Sequence, residues 1–228
     1  MRVAILQSSY IPWKGYFDLI RSVDLFVWFD DVQYTTRDWR NRNRIKTSDG
    51  PNWLSIPCNG RQSMQIDEVR IADDGWRDRH WAAIERSYGD LPGFDWCRDV
   101  LHDLYRPDGE VSLCRVTRRF VEVIARELLS IETRFDDSVN YPSEARGQHR
   151  LLQILGEVGA TSYLSGPAAK AYIDQSLFTE RGVEVDWMDY GGYPEYSQPH
   201  GPFDHHVSIV DLLACTGPEA VCKLDRGS

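Results

Sequence analysis

The sequence predicts an α/β fold: a mostly parallel central sheet with flanking helices, an inserted β-hairpin and a helical middle segment. Three observations carry this prediction. Short β-branched and aromatic runs at 3–6 and 25–29 are separated by a loop and a helix-spaced segment. That β-loop-α-β order lays consecutive strands side by side in parallel. Similar runs return at 161–165 and 183–188, and the stretch 76–129 between the two halves repeats apolar residues at helical spacing.

In chain order, residues 3–6 form the first strand, and Pro12 and Gly15 stop it from running on through the loop 7–15. A loop in that position is where such folds place ligand groups, so Gln7, Tyr10 and Lys14 are candidates by position. Tyr16, Leu19, Ile20 and Val23 share one face of a helix. The strand 25–29 then ends abruptly on Asp30 and Asp31, followed by Gln33 and Trp39. The carboxyl ends of parallel strands border the ligand crevice, which directs both carboxylates toward a site. Arg37, Arg40, Arg42, Arg44 and Lys46 make a local basic block beside them.

Residues 42–46 and 52–57 read as a hairpin joined through Ser48-Asp49-Gly50-Pro51, a strong turn signal. Alternation puts Asn41, Asn43 and Ile45 on one side and Arg42, Arg44 and Lys46 on the other. Residues 68–71 add a short strand. Helices follow over 76–88, 94–105 and 111–129, with His80 and His102 read as packing residues. A short strand at 133–135 precedes a helix over 143–158. The strand 161–165 turns sharply into a helix at Ser165-Gly166, where a hydroxyl and backbone N–H groups can meet an anion; Lys170 and Tyr172 lie in the same region. Residues 193–203, with Gln198 and His200, are too rich in Pro and Gly to be regular and too aromatic for a loose tail, so they pack as an ordered loop. Ser208 caps a final helix, and the residues after Gly217 fray.

A length of 228 residues fits a single domain, 1–228, with a helical insertion at 76–129. A formal net charge of −9 argues against a nucleic-acid binder, while small anionic partners stay compatible because they feel a local pocket. Five widely spaced cysteines without a C-x-x-C pair read as reduced thiols of a cytoplasmic protein, and no apolar run is long enough to span a membrane.

The chemistry is narrowed by exclusion. Asp30, Asp31, His205 and His206 lack metal-ligand spacing, so no metal is expected. Cys58 with His200 as base lacks a nucleophile elbow, and Ser165 lacks the G-x-S-x-G context. Positioning chemistry is left: Asp30 or Asp31 as base or ammonium anchor, Arg42 and Asn43 on an anion or carbonyl, Gln7 as an orienting amide, and His200 as a further base. Tyr10, Lys14, Gln33, Trp39, Asn41, Ser165, Gly166, Lys170, Tyr172 and Gln198 complete the expected binding set.

These pieces resemble the WbqC-like protein family. The matching residues include Ile5-Leu6-Gln7, Gly15-Tyr16-Phe17, Asp30-Asp31-Val32-Gln33-Tyr34, Asn41-Arg42-Asn43-Arg44-Ile45, Tyr163-Leu164-Ser165-Gly166-Pro167 and Gly201-Pro202-Phe203. Family members often carry His-Gln-Pro where this chain has Leu6-Gln7-Ser8, so no histidine role transfers there. The resemblance implies a place in bacterial O-antigen, other surface-polysaccharide or secondary-metabolite biosynthesis. The expected activity is a transferase forming an amide on a sugar or related metabolite from an activated acyl or aminoacyl donor. Its partner molecules are a nucleotide-linked sugar and that donor; no cofactor is named by the residues. A nucleotidyltransferase-like enzyme and a non-catalytic carbohydrate-binding or scaffold protein are the alternatives.

Overall fold

The structure, a computed structural model, describes residues 1–226. Its strands are β1 (Arg2–Leu6), β2 (Leu25–Trp28), β3 (Arg42–Thr47), β4 (Gly50–Ser55), β5 (Arg134–Asp137), β6 (Ser162–Ser165) and β7 (Glu184–Trp187). The α-helices are α1 (Lys14–Arg21), α2 (Trp76–Tyr88), α3 (Phe94–Tyr105), α4 (Leu113–Val123), α5 (Gln148–Glu157), α6 (Gln175–Thr179) and α7 (Ile209–Thr216). Five strands form one parallel sheet in the order β5-β2-β1-β6-β7, and β3 and β4 pair separately as an antiparallel hairpin. No helix among the described residues is long and apolar enough to cross a membrane.

Period-two alternation divides the sheet's side chains between two layers. Ala4, Phe26, Trp28 and Leu164 pack with the buried faces of α1, α2, α3, α4 and α7. Val3, Ile5, Leu25, Val27 and Tyr163 point the other way, against Leu151 and Leu155 of α5 and Phe178 of α6. Both faces are covered, which is why the strands read as nearly continuous apolar runs. From β1 the chain moves outward to β2 and β5, then returns to the opposite side of β1 for β6. The strand order therefore reverses between β1 and β6, the place where open parallel sheets leave a crevice.

Three local expectations are corrected. Residues 68–71 form no strand: Ile66–Glu68 is a 3₁₀ turn closed by a Gln65/Glu68 capping box, followed by isolated bridges from Arg70 to Ser112 and Ile71 to Cys58. The helix expected over 111–129 starts at Leu113, and Ile124–Leu128 widens to a π turn that still buries Ile124, Ala125 and Leu128. Residues 217–224 do not fray: Gly217–Leu224 is 3₁₀, Ala220 and Leu224 are buried, and the Arg21 guanidinium donates to the Leu224 carbonyl at 2.6 Å; the expectation for residues 227–228 lies outside the described residues.

The approach of α3 to the end of α7 depends on two glycines. A Cβ on Gly93 would stand 2.4 Å from the Gly217 nitrogen and 2.6 Å from the Ala214 carbonyl oxygen, both backbone atoms, and Gly217 has φ +55°. Gly93→Ala is expected to lower stability by about 1–3 kcal/mol in urea unfolding, since backbone must move to admit the methyl. Gly156→Ala in α5, with open space around the added methyl, is the reference and should be neutral or stabilising. Equal midpoints for the two variants would show that the close approach is not what fixes this contact.

Candidate ligand crevice

The loop after β1 is held from three sides. Tyr16 donates to the Gln7 carbonyl at 2.8 Å, Asn43 Nδ2 donates to the Tyr10 and Ile11 carbonyls at 3.1 and 2.9 Å, and Tyr10 N–H donates to the Trp39 carbonyl at 3.0 Å. These bonds bring the base of the hairpin against the carboxyl end of β1. Between them lies a cavity of about 350 Å³ with walls that include Gln7, Trp13, Tyr16, Trp39, Arg40, Asn43, Tyr190 and His206. A second cavity, of about 250 Å³, shares Leu6 and Gln7 with the first and lies between β1 and β6 against Ser165, Gly166 and Tyr172. A third, of about 740 Å³, shares Phe29 and Gly147 with the second and holds Asp31, Gln33, Arg146 and Arg150. The three join wall to wall along the strand ends at the switch point.

Residues 189–207 form the strap that closes the first cavity. Tyr193 donates to Asp18 at 2.6 Å, while Tyr196 and Gln198 each donate to the buried Asp211 carboxylate at 2.7 Å. Ser208 N–H donates to the Arg44 carbonyl at 2.8 Å, and Ile209 N–H to the Pro12 carbonyl at 2.9 Å. With the strap so tied, Tyr190 and His206 come to 5.1 and 5.4 Å from the Trp13 ring, centroid to centroid. Burial holds the Tyr16 hydroxyl well above the ordinary phenol range against the opposing pull of Arg40, and burial pushes the Tyr190 phenol up to about 12. Both phenols are therefore neutral hydrogen-bonding walls at neutral pH.

Beneath the strap lies Lys14. Its ammonium nitrogen is sealed from solvent with no hydrogen-bond partner, about 5 Å from the Tyr193, Tyr196 and Phe203 rings. Burial lowers its pKa to about 8, with Asp211 and Glu195 pulling the other way and Lys223 adding to the lowering. A lysine depressed in the native state binds fewer protons there than when unfolded. Stability should thus rise with pH between about 8 and the ordinary lysine value of 10.5. Lys14→Met is expected to be more stable than the parent at pH 7 and to lose that rise, read from urea midpoints at a series of pH values. An unchanged slope in the variant would assign the rise to another group.

The structure brings together part of the expected set. Gln7, Trp39 and Asn43 meet on the first cavity; Gln7, Ser165, Gly166 and Tyr172 meet on the second; Asp31 and Gln33 face the third. Asp31 also accepts from Arg150 Nη2 at 3.0 Å and from the Ser138 hydroxyl.

The others lie elsewhere, each for a visible reason. Asp30 is fully buried, accepting from Arg118 Nε at 2.7 Å and Ser8 N–H at 2.8 Å; Arg118 also pairs with Asp137. Its carboxylate ties the first loop to α4 instead of facing a ligand. Tyr10 is core, its hydroxyl bonded to His80 at 2.9 Å and Tyr105 at 2.7 Å. Asn41 donates to the Ile56 carbonyl at 2.9 Å, and the Arg42 guanidinium carbon lies over Trp53, 4.2 Å from the ring centroid, on the hairpin's other face. Lys46, expected beside Arg42, is instead buried and donates to Gln198 and the Pro202 carbonyl. Gln198 is thereby spent on strap bonds, Lys170 lies over Trp187 at 5.6 Å, and His200 is exposed on the strap away from the three cavities. Cys58 bonds the Tyr34 hydroxyl at 3.3 Å, and all five cysteines are free thiols.

Sequence reasoning missed Trp13, Tyr16, Tyr190 and His206 as cavity residues and saw Arg40 only as one member of the basic block. Tyr16 read as a helix face. No signal in the sequence folds residues 190 and 206 back onto the first loop. Among the described residues, no three His, Cys, Asp or Glu side chains gather as a set that could hold a metal ion.

A parallel sheet whose strand order reverses beside three adjoining cavities places the chain in the open-sheet α/β class. Within that class the chain belongs to the WbqC-like protein family, whose sequence profile matches residues 7–223. It is 43% identical over 221 residues to "Uncharacterized protein Rv1507c" of Mycobacterium tuberculosis (strain ATCC 25618 / H37Rv), covering 96% of this chain and 95% of that protein. No solved structure matches the chain.

Proposed function

We propose that this protein is a transferase that modifies a sugar or related small metabolite of bacterial surface-polysaccharide or secondary metabolism, forming an amide from an activated acyl or aminoacyl donor. The observation that carries the reading is the pair of cavities sharing Leu6 and Gln7 at the switch point. Two adjoining compartments suit two reactants meeting at a common wall. The aromatic compartment takes the acceptor sugar, whose apolar ring faces lie on Trp13 and Trp39.

The donor enters from the β6 side, its carbonyl toward the Gln7 amide, with Asp31 in the third cavity as anchor for an aminoacyl ammonium group. The acceptor amine attacks the acyl carbon. A C–N bond forms, the leaving group departs with its electron pair, and the amine proton passes to a base. His206, on the aromatic compartment, takes the role that sequence reasoning gave His200.

The test is incubation of the full chain with nucleotide-linked amino sugars and acyl or aminoacyl donors, followed by mass spectrometry. A mass gain equal to the acyl group, reduced by Gln7→Ala and Asp31→Asn, is the expected result. Saturable sugar binding without turnover across the donors would instead favour a carbohydrate-binding role.

A further inference from the structure

Arg40 differs from three other arginines around the crevice in having no acidic partner, and from the equally unpaired Arg146 of the third cavity in being half-buried, not exposed. Arg118 pairs with Asp30, Arg150 with Asp31 and Arg44 with Asp204. Arg40, half-buried on the wall of the aromatic cavity, takes part in no ion pair among the described residues. Its one hydrogen bond is a long one, 3.5 Å from Nη1 to Gln7 Oε1, and its Nε is sealed from water with no partner. A chain with a net charge of −9 has carboxylates in excess, yet none reaches this guanidinium. A cation partly withdrawn from water and left without a counter-charge carries a desolvation cost, which falls when an anion fills the space in front of it.

We propose that the aromatic cavity takes a ring compound bearing an anionic oxygen group, phosphoryl or carboxyl, and that Arg40 binds this group. The guanidinium presents a planar fork of donors that matches two oxygens of a phosphate or carboxylate at once. Two other polar groups on the wall are already engaged. Asn43 Nδ2 is spent on the Tyr10 and Ile11 carbonyls, and the Tyr16 hydroxyl on the Gln7 carbonyl. Trp13 and Trp39 offer flat walls for the ring. A volume of about 350 Å³ lies at the small end of ligand pockets, fitting one ring with one charged substituent, so that the nucleoside part of a nucleotide-linked sugar would lie outside it. The inference concerns the acceptor compartment of the proposed transferase, but binding alone decides it.

The experiment is calorimetric titration of the full chain with glucose 6-phosphate, glucuronate, glucose and inorganic phosphate. The phosphoryl or the carboxyl sugar, or both, should bind on the order of ten- to a hundredfold more tightly than glucose, the contribution of one charge-assisted contact, and more tightly than inorganic phosphate. The two sugar arms tell which anionic group the cavity takes. Arg40→Gln should erase the preference, Arg40→Lys should keep part of it, and the remote surface variant Arg106→Gln should leave it whole, with unliganded melting curves showing that each variant folds.

Equal binding of glucose overturns the inference, as does a preference that survives in Arg40→Gln, or binding of neither anionic sugar. Inorganic phosphate binding as tightly as the sugar phosphate removes the ring from it. Arg40-dependent binding with no transfer to any acceptor leaves this inference standing and the transferase reading fallen. Turnover confined to neutral sugars does the reverse.

Discussion

Replacing His206 by Gln or Ala lowers turnover in the transfer assay by about 10²- to 10⁴-fold, the usual contribution of a positioned proton acceptor. The side chain lies on the cavity that also holds Gln7, and its ring is 5.4 Å from Trp13. It sits in the strap's last residues, whose carbonyl accepts from Arg44 Nη2 at 3.2 Å, so backbone position does not depend on the imidazole. The variant should therefore fold normally and bind sugar with near-parent affinity while kcat falls. Added imidazole should restore part of the rate to His206→Ala, because a free base can enter the space vacated. A fall confined to KM, or no rescue, would make His206 a binding wall, and the proton acceptor would have to be sought at Asp31.

Asp211→Leu is expected to cost about 3–5 kcal/mol and to release the strap, the penalty of orphaning several buried donors at once. The Asp211 carboxylate is fully buried and accepts from Tyr196 at 2.7 Å, Gln198 at 2.7 Å and Tyr88 at 3.1 Å. Burial raises its pKa despite these bonds. A carboxyl raised in the native state binds more protons there than when unfolded, so its contribution weakens as pH climbs from the ordinary carboxylate range through the raised value. Urea unfolding of parent and variant should therefore differ most in slope across that acidic window. Chymotrypsin supplies a local readout, since Tyr193, Tyr196 and Phe203 lie on the strap. Rapid cutting there in the variant, against slow cutting in the parent, is the expected pattern. A variant with full parental resistance would show that the other ties, Tyr193 to Asp18 and Ser208 to Arg44, suffice.

The strands and the switch point were legible because both faces of the sheet are covered, which writes strands as short unbroken apolar runs. Gln7, Asn43 and Ser165 were legible for a related reason: a polar residue just past such a run, or alternating with Ile45 on a hairpin, has few places to go. Asp30 misled because the same logic aims it at solvent. Its partner Arg118 lies 88 residues along the chain, and no local pattern announces a neutralising charge from that far away. A longer separation hid Tyr190 and His206, which are held at the first loop by the strap's bonds to Asp18, Asp211, Arg44 and Pro12. Alternation separated Arg42 from Asn41 and Asn43, and Arg42 does lie over Trp53 on the other face; it could not tell that Asn41, just before β3, turns to the Ile56 carbonyl while Asn43 reaches the cavity wall.

The aromatic compartment draws its walls from residues near 6–16, from 39–43, and from positions 190 and 206, so its occupant would touch the beginning, the hairpin and the closing segment of the polypeptide simultaneously. Such a guest acts as a non-covalent staple between chain segments some 200 residues apart. Amide-exchange protection gained on binding should consequently spread to Ile209–Thr216, whose first N–H is anchored on Pro12, making slowed deuterium uptake in that helix a remote gauge of occupancy.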